Sequence, residues 1–263
     1  MEKVINEKNI DRFSGFSQVY NSSRPIPPDI IIKSALIYAN KDPQIVVDIG
    51  SGTGLSTQIW KDAAQTVIGI EPNDDMRCEA EKNVIADNIS FQKGVSNDTG
   101  LPGDHVDIVS ISQSFHWFDI DSTLEEIFRI LKDGGVLAIY DCDFPPSVDW
   151  IVEKTYCALK DKSDGICFSQ ENPPTRNDKD SYMKRINSFG KFRFVKEIVC
   201  HNTENCTPDR MIGIALSQGS IKDALQIDAS FQADVDEFCD LVKLRLRDDQ
   251  KIIFSYRLRL AVK

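Results

Sequence analysis

Apolar residues fall along this chain in two alternating rhythms. Short runs rich in β-branched residues, Ile45–Ile49, Thr66–Ile70, Ile89–Gln92, Val106–Ser112 and Val136–Tyr140, predict strands of the kind buried on both faces in a parallel sheet. Segments between them predict helices. Residues 55–64 can be helical, and Ser122–Lys132 is amphipathic, with a Ser or Asp cap in front and Asp133-Gly134-Gly135 to stop it. An apolar helix over Asp29–Asn40, ended by Asn40 and Pro43, precedes the first strand. Strands alternating with helices imply right-handed crossovers and an α/β fold with ligand at the switch point of the strand order.

The rhythm loosens after residue 143. A helix is predicted around Val148–Leu159, then a polar, proline-bearing stretch to Thr175, then a short helix near Lys179–Asn187. An insertion after the fifth strand would sit over the pocket, so residues 144–188 are predicted as a substrate cap carrying Trp150, Tyr156, Phe168 and Arg176. Lys191–Cys200 and Lys251–Lys263 alternate as strands, and Thr207–Ser217 and Asp234–Arg247 read as helices, the first with Thr207 as cap and Pro208 at its first position. Residues 1–28 are polar and then proline-rich, with a helical Asp11–Ser22 ending near Arg24. Continuous alternation favours one domain over residues 1–263.

Composition narrows the partners more than the fold. At 263 residues with 41% hydrophobic and 27% charged residues, the chain is ordinary for a globular protein with a sizeable core. A net charge of −10 opposes attraction to nucleic acid or anionic membranes, which leaves a small molecule as the expected partner. Seven cysteines lie scattered without a C-x-x-C pair, which suits reduced thiols in a cytoplasm and neither a disulfide framework nor a metal site. The first residues lack the apolar core of a signal peptide, and no run approaches the roughly 20 apolar residues of a membrane span. The expectation is a cytoplasmic monomer or homodimer.

The chemistry starts at Gln44–Thr57, where Asp48 precedes a loop with glycine at 50, 52 and 54. A dinucleotide fingerprint reads G-x-G-x-x-G, with pyrophosphate at the helix N-terminus; here the third glycine comes one residue early and Leu55 stands in its place. Asp48 would repel pyrophosphate. It suits a ligand carrying an ammonium and a sulfonium and no phosphate, which describes S-adenosylmethionine. Glu71 ends the second strand at the reach expected of the acid that holds two ribose hydroxyls, a task for a bidentate acceptor.

Val46-Val-Asp-Ile-Gly-Ser-Gly-Thr-Gly54 resembles motif I of the class I, Rossmann-like S-adenosylmethionine-dependent methyltransferases. The resemblance covers most of residues 10–143 plus the final strand. It implies a doubly wound, seven-stranded, mostly parallel sheet with the last strand reversed, and the two late strands are consistent with its closing hairpin. It implies that Asp48, Gly50, Ser51, Gly52, Thr53 and Gly54 hold the cofactor with Glu71 and Pro72, and that Met76 lies under adenine. The family often carries an acid after the third strand; here Val95 and Ser96 follow Gly94, so hydroxyl, amide or backbone groups serve, with Ser112 at the end of the fourth strand.

Two further features resemble the small-molecule group that includes trans-aconitate methyltransferase. Phe16-Ser-Gln-Val-Tyr20 followed by Arg24-Pro25 is similar to an amino-terminal cover over the cofactor, in which Tyr20 faces the methyl centre as a candidate catalytic residue and Arg24, counted with the cofactor-binding residues, pairs with a carboxylate. Phe115-His-Trp-Phe118 follows the fourth strand, so His116 either orients substrate or accepts a proton, and Trp117 walls the pocket. The other reading of these residues is structural: a docking stripe, a surface cation and a core histidine. Tyr140, Asp141 and Asp143 close the fifth strand, with Tyr140 expected on the substrate side. The implied activity is in-line methyl transfer to a small molecule, such as a carboxylic acid, with no metal. A nicotinamide-dependent oxidoreductase and a non-catalytic cofactor-binding regulator are the alternatives.

Overall fold

The computed structural model describes residues 23–39, 41–171, 173 and 175–263. At its centre is β1 (Ile45–Ile49), whose apolar run is buried from its second residue onward. It pairs in parallel with β2 (Thr66–Ile70) on one side and β4 (Val106–Ser112) on the other. The parallel array continues through β3 (Ile89–Gln92) beyond β2 and β5 (Leu131–Cys142) beyond β4. β7 (Gln250–Val262) then runs antiparallel to β5, and β6 (Phe194–Cys206) antiparallel to β7. The 7-stranded order is β3-β2-β1-β4-β5-β7-β6, so chain direction across the sheet switches between β1 and β4. That is the doubly wound fold expected from the sequence.

Eight helices flank it among the described residues: α1 (Asp29–Ala39), α2 (Asp74–Asn83), α3 (Ile120–Ile130), α4 (Trp150–Phe168), α5 (Tyr182–Phe189), α6 (Pro208–Leu216), α7 (Gly219–Ile227) and α8 (Gln232–Arg245). Alternate strand residues face opposite sides of a sheet, and the core divides accordingly. Val46, Ile108, Ala138 and Leu260 meet Ile31 of α1, Tyr156 of α4 and Phe238 of α8 on one face. On the other, Val47, Val109, Leu137 and Ala261 meet Leu124 and Ile127 of α3 and Ile186 of α5.

Four local differences from the sequence reading have physical causes. Residues 55–64 form turns and a 3-10 helix at Gln58–Trp60, not an α-helix. The hydroxyls of Ser56 and Thr57 both donate to Asp48 Oδ2 at 2.7 Å, and Trp60 is buried with its Nε1 on Ser110 Oγ at 3.2 Å, so side-chain bonds set the path of the backbone. The diglycine at 134–135 lies inside β5, because Gly134 N–H donates to Lys263 O and Lys263 N–H to Gly135 O, both at 3.0 Å. β6 runs six residues past Cys200, paired with β7 throughout. Helix α7 went unread because it opens on Gly219-Ser220, weak helix formers; it is held by packing on α4, with Ser220 and Ser163 hydroxyls 2.9 Å apart.

Candidate active site

The carboxyl ends of β1, β2, β4 and β5 open into one cavity, and the glycine loop forms its floor. Gly50 lies at φ +72°, and a Cβ there would come within 2.6 Å of Ser114 Oγ. Gly54, at φ +83°, has Val84 Cγ2 at 2.6 Å from the same imagined atom, so its lack of a side chain serves packing of the loop on α2 and β3. Beside Gly52 the space is open, and its N–H donates to Glu71 Oε2 at 3.0 Å.

Glu71 is the acid that this geometry presents to a ligand. Its other oxygen accepts from Asn73 N–H at 2.9 Å, and the side chain lines the cavity although the residue is only 8% exposed. A carboxylate accepts about four hydrogen bonds, so one lone pair on each oxygen stays available. Burial raises the Glu71 pKa above its ordinary value, while the two backbone N–H groups pull it down. Asn73 caps α2 by accepting from Met76 N–H, which sets Met76 on the wall beside Pro72.

Asp48 stands behind the loop and off the wall. It is 0% exposed, and burial pushes its carboxyl up to about 6 despite hydroxyl donors from Ser56 and Thr57. Ser51 and Thr53 do reach the wall, and Ser51 Oγ is buried with no hydrogen-bond partner among the described residues. A buried unsatisfied hydroxyl is uncommon, and together with the spare lone pairs of Glu71 it fits a ligand bearing ribose hydroxyls and polar groups. Val95, Ser96 and Ser112 also line the cavity, Ser96 Oγ lying 2.8 Å from Thr123 Oγ1.

On the other side of the cavity, Trp117 reaches the wall and His116 does not. The His116 ring packs on Trp117 at 4.6 Å, and its carbonyl accepts from Asn177 N–H at 2.8 Å. Tyr140 is likewise off the wall. It is 0% exposed, its hydroxyl 3.2 Å from Ser110 Oγ, because alternation along β5 turns it into the core on the α1 side. β5 continues two residues further, and Cys142 lines the cavity in its stead, its thiol pushed up to about 12 by burial.

Arg24 and Pro25 reach the cavity, and the guanidinium donates to Ser217 O at 2.8 Å and lies 4.9 Å from the Phe144 ring centroid. Tyr20 lies outside the described residues. Of the predicted cap, Phe144 lines the cavity; Trp150 is 70% exposed, Tyr156 is buried against Phe238, and Arg176 pairs with Asp164. Sequence reasoning did not single out Gln113, Cys142, Phe144 or Tyr256 for the wall. Gln113 is set apart only by its backbone, at φ +54°; Cys142 and Tyr256 share the wall through β5–β7 pairing, in which they oppose each other, and Phe144 follows the end of β5 by two residues.

Comparison with known proteins assigns this architecture. Residues 47–139, from β1 to β5, match the family described as a methyltransferase domain. A Saccharomyces cerevisiae protein provisionally named an S-adenosylmethionine-dependent methyltransferase is 27% identical over 136 residues, 50% of this chain and 47% of that one. Residues 47–139 therefore carry a methyltransferase domain of the class I, S-adenosylmethionine-dependent kind. A Dictyostelium discoideum protein provisionally named a methyltransferase is 29% identical over 130 residues, 49% of this chain and 48% of that one. Thus the matches span about half the length of these relatives. A solved structure titled provisionally as a type II methyltransferase, from Anaeromyxobacter dehalogenans, shares the fold with a TM-score of 0.63 at 17% identity, covering 91% of this chain and 97% of that one. The methyltransferase family implies S-adenosylmethionine as cofactor and sets aside the oxidoreductase alternative. Among the described residues, no helix is long and apolar enough to cross a membrane.

Proposed function

We propose that the protein transfers a methyl group from S-adenosylmethionine to a small carboxylic acid. The observation that carries the cofactor half is Glu71, a buried, acceptor-only carboxylate at the end of β2 with its two oxygens anchored by Gly52 and Asn73 N–H groups. Glu71 would take the ribose hydroxyls, Met76 and Pro72 the adenine face, and Ser51 with the backbone of Gly52 and Thr53 the remaining polar groups. Val95 and Ser96 border the adenine position, and Ser112 closes the loop side. Asp48 contributes negative charge from behind and holds the loop through Ser56 and Thr57. Bound S-adenosylmethionine supplies a methyl carbon already activated by its sulfonium.

Arg24 supports the acceptor half, since it brings a guanidinium to a cavity otherwise walled there by Phe144, Trp117 and Tyr256. A carboxylate nucleophile needs no base, which agrees with His116 standing off the wall. The protein's work is then positioning and exclusion of water, for which oriented reactants can contribute ~7–11 kcal/mol. Seven cysteines, none in a disulfide, support a reducing compartment such as the cytoplasm.

The test is transfer of labelled methyl groups to a panel of small carboxylic acids, with amines and alcohols alongside. Turnover confined to acids and lost in Arg24→Ala at unchanged cofactor affinity is the expected result. Turnover of amines alone would remove the acid assignment. Tight cofactor binding with no transfer to any acceptor would return the protein to a regulatory role.

A further inference from the structure

Gln113 ends β4 in the left-handed region at φ +54°, a conformation in which a non-glycine residue stores strain, and it lies on the cavity wall. Three bonds hold it there. Its N–H donates to Tyr140 O at 3.2 Å, its Nε2 donates to Cys142 O at 3.1 Å, and its Oε1 accepts from Lys179 Nζ at 3.0 Å. An ammonium only donates and a carbonyl only accepts, so the side-chain amide has one orientation. Turning it over would set nitrogen against nitrogen and oxygen against oxygen. The second hydrogen of Nε2 is left over.

Lys179 is itself held from behind. Its Nζ lies 2.9 Å from Asp141 Oδ1, and the other oxygen of that buried carboxylate accepts from Arg259 Nη1 at 2.9 Å. A chain of ionic bonds thus crosses β5 and β7 and ends on the Gln113 amide. Such rigid support costs the fold a buried ion pair and a strained residue, which a mere surface glutamine does not require. Gln113 borders the cavity end formed by β4, β5 and β7, where the Arg24 guanidinium also stands. The second Nε2 hydrogen of Gln113 is offered there, so that end suits an oxygen better than an ammonium.

We propose that Gln113 is a specificity-determining residue, presenting a fixed N–H to a carboxylate oxygen of the methyl acceptor, and that Lys179 is the positioning residue that fixes it. The inference rests on the methyl-transfer reading and assigns which group selects the acceptor. Its test uses the protein saturated with S-adenosylhomocysteine, with benzoate and benzylamine as probes titrated by ligand-observed NMR. Gln113→Glu keeps a partner for Lys179 and nearly the same volume but has no N–H to give.

Benzoate is expected to bind the wild type and benzylamine not to. Gln113→Glu and the uncharged, donor-free Gln113→Met should each weaken benzoate by about tenfold or more, the loss of a hydrogen bond to a charged group, with the affinity for S-adenosylhomocysteine little changed. Lys179→Met should weaken it similarly and Lys179→Arg restore it, a rescue that loss of packing would not give. Unchanged benzoate affinity in Gln113→Glu or Gln113→Met, absence of benzoate binding to the wild type, or equal binding of benzylamine would overturn the proposal. A tenfold loss of S-adenosylhomocysteine affinity in Gln113→Glu would overturn it too, by placing the donor on the cofactor. Equal losses in Lys179→Arg and Lys179→Met would remove Lys179 from it. Failure of the wild type to bind S-adenosylhomocysteine at all would instead sink the methyl-transfer reading, and this inference with it.

Discussion

A carboxylate with no exposure to water tests the site most directly. Burial raises the Asp48 pKa from 3.8 to about 6. A folded-state pKa above the unfolded one means that ionisation disfavours the fold: nothing is lost below about pH 4, the loss grows between about 4 and 6, and it is complete above that. Its size is on the order of 3 kcal/mol. Asp48→Asn can accept the same two hydroxyls without the charge, so the variant should gain on the wild type by that order as pH goes from 4 to 7 in urea titrations. Parallel stability curves would show that Asp48 does not titrate there. A cation bound in front of Asp48 favours its charged form, so affinity for S-adenosylmethionine should weaken below about pH 6 in the wild type and not in the variant. Glu71→Gln sets a donor against the Gly52 or Asn73 N–H as well as removing the charge, and by calorimetry it should cost S-adenosylhomocysteine binding at least about 1.5–3 kcal/mol, the worth of hydrogen bonds to a charge. Both acids were legible in the sequence because each sits at a fixed offset from the glycine loop. Tyr140 was placed on the correct strand and face but two residues short of the cavity, which β5 reaches only at Cys142.

Between residues and fold, the elements meet at the loop. Gly54 shows that the third glycine of the motif need not touch a ligand: its missing Cβ makes room for Val84 and Phe91, which clamp α2 and β3 to the loop. Gly54→Ala adds a clash and a side chain at positive φ, and should cost about 1–3 kcal/mol in denaturant unfolding. Adding Val84→Ala removes the nearer clash, so the double variant should recover part of the loss but not the backbone share. Full recovery would mean that φ at this position carries no strain. What the sequence hid at this scale were features without a pattern of their own. The 3-10 turn at Gln58–Trp60 depends on side-chain bonds to Asp48 and Ser110, and α7 depends on α4 for its packing. Alternation of apolar runs reports burial of strands well; it does not report which polar side chains will capture the backbone.

Across the whole molecule, the two strands beyond the family match are tied to the site by a buried cation. Arg259 on β7 is 2% exposed, donates to Asp141 on β5 at 2.9 Å and to Glu197 on β6 at 3.0 Å, and stacks 4.9 Å from the Tyr182 ring of α5. None of these partners is near another in sequence, which is why pattern and spacing could not assemble them. Removing one member of a buried ion pair leaves the other charge under-compensated, here with only Lys179 beside Asp141, and the penalty reaches about 3–5 kcal/mol. Arg259→Met should therefore destabilise the protein by that order in urea unfolding, whereas Arg259→Met with Asp141→Asn should recover most of it, because the stranded charge is gone. Lys179 would lose its anchor in the double variant even though the fold returned. The two variants thus separate stability from site geometry: a double variant with wild-type stability and weakened acceptor binding would place the network in the service of the cavity, and one with wild-type stability and wild-type binding would leave it a structural clamp alone.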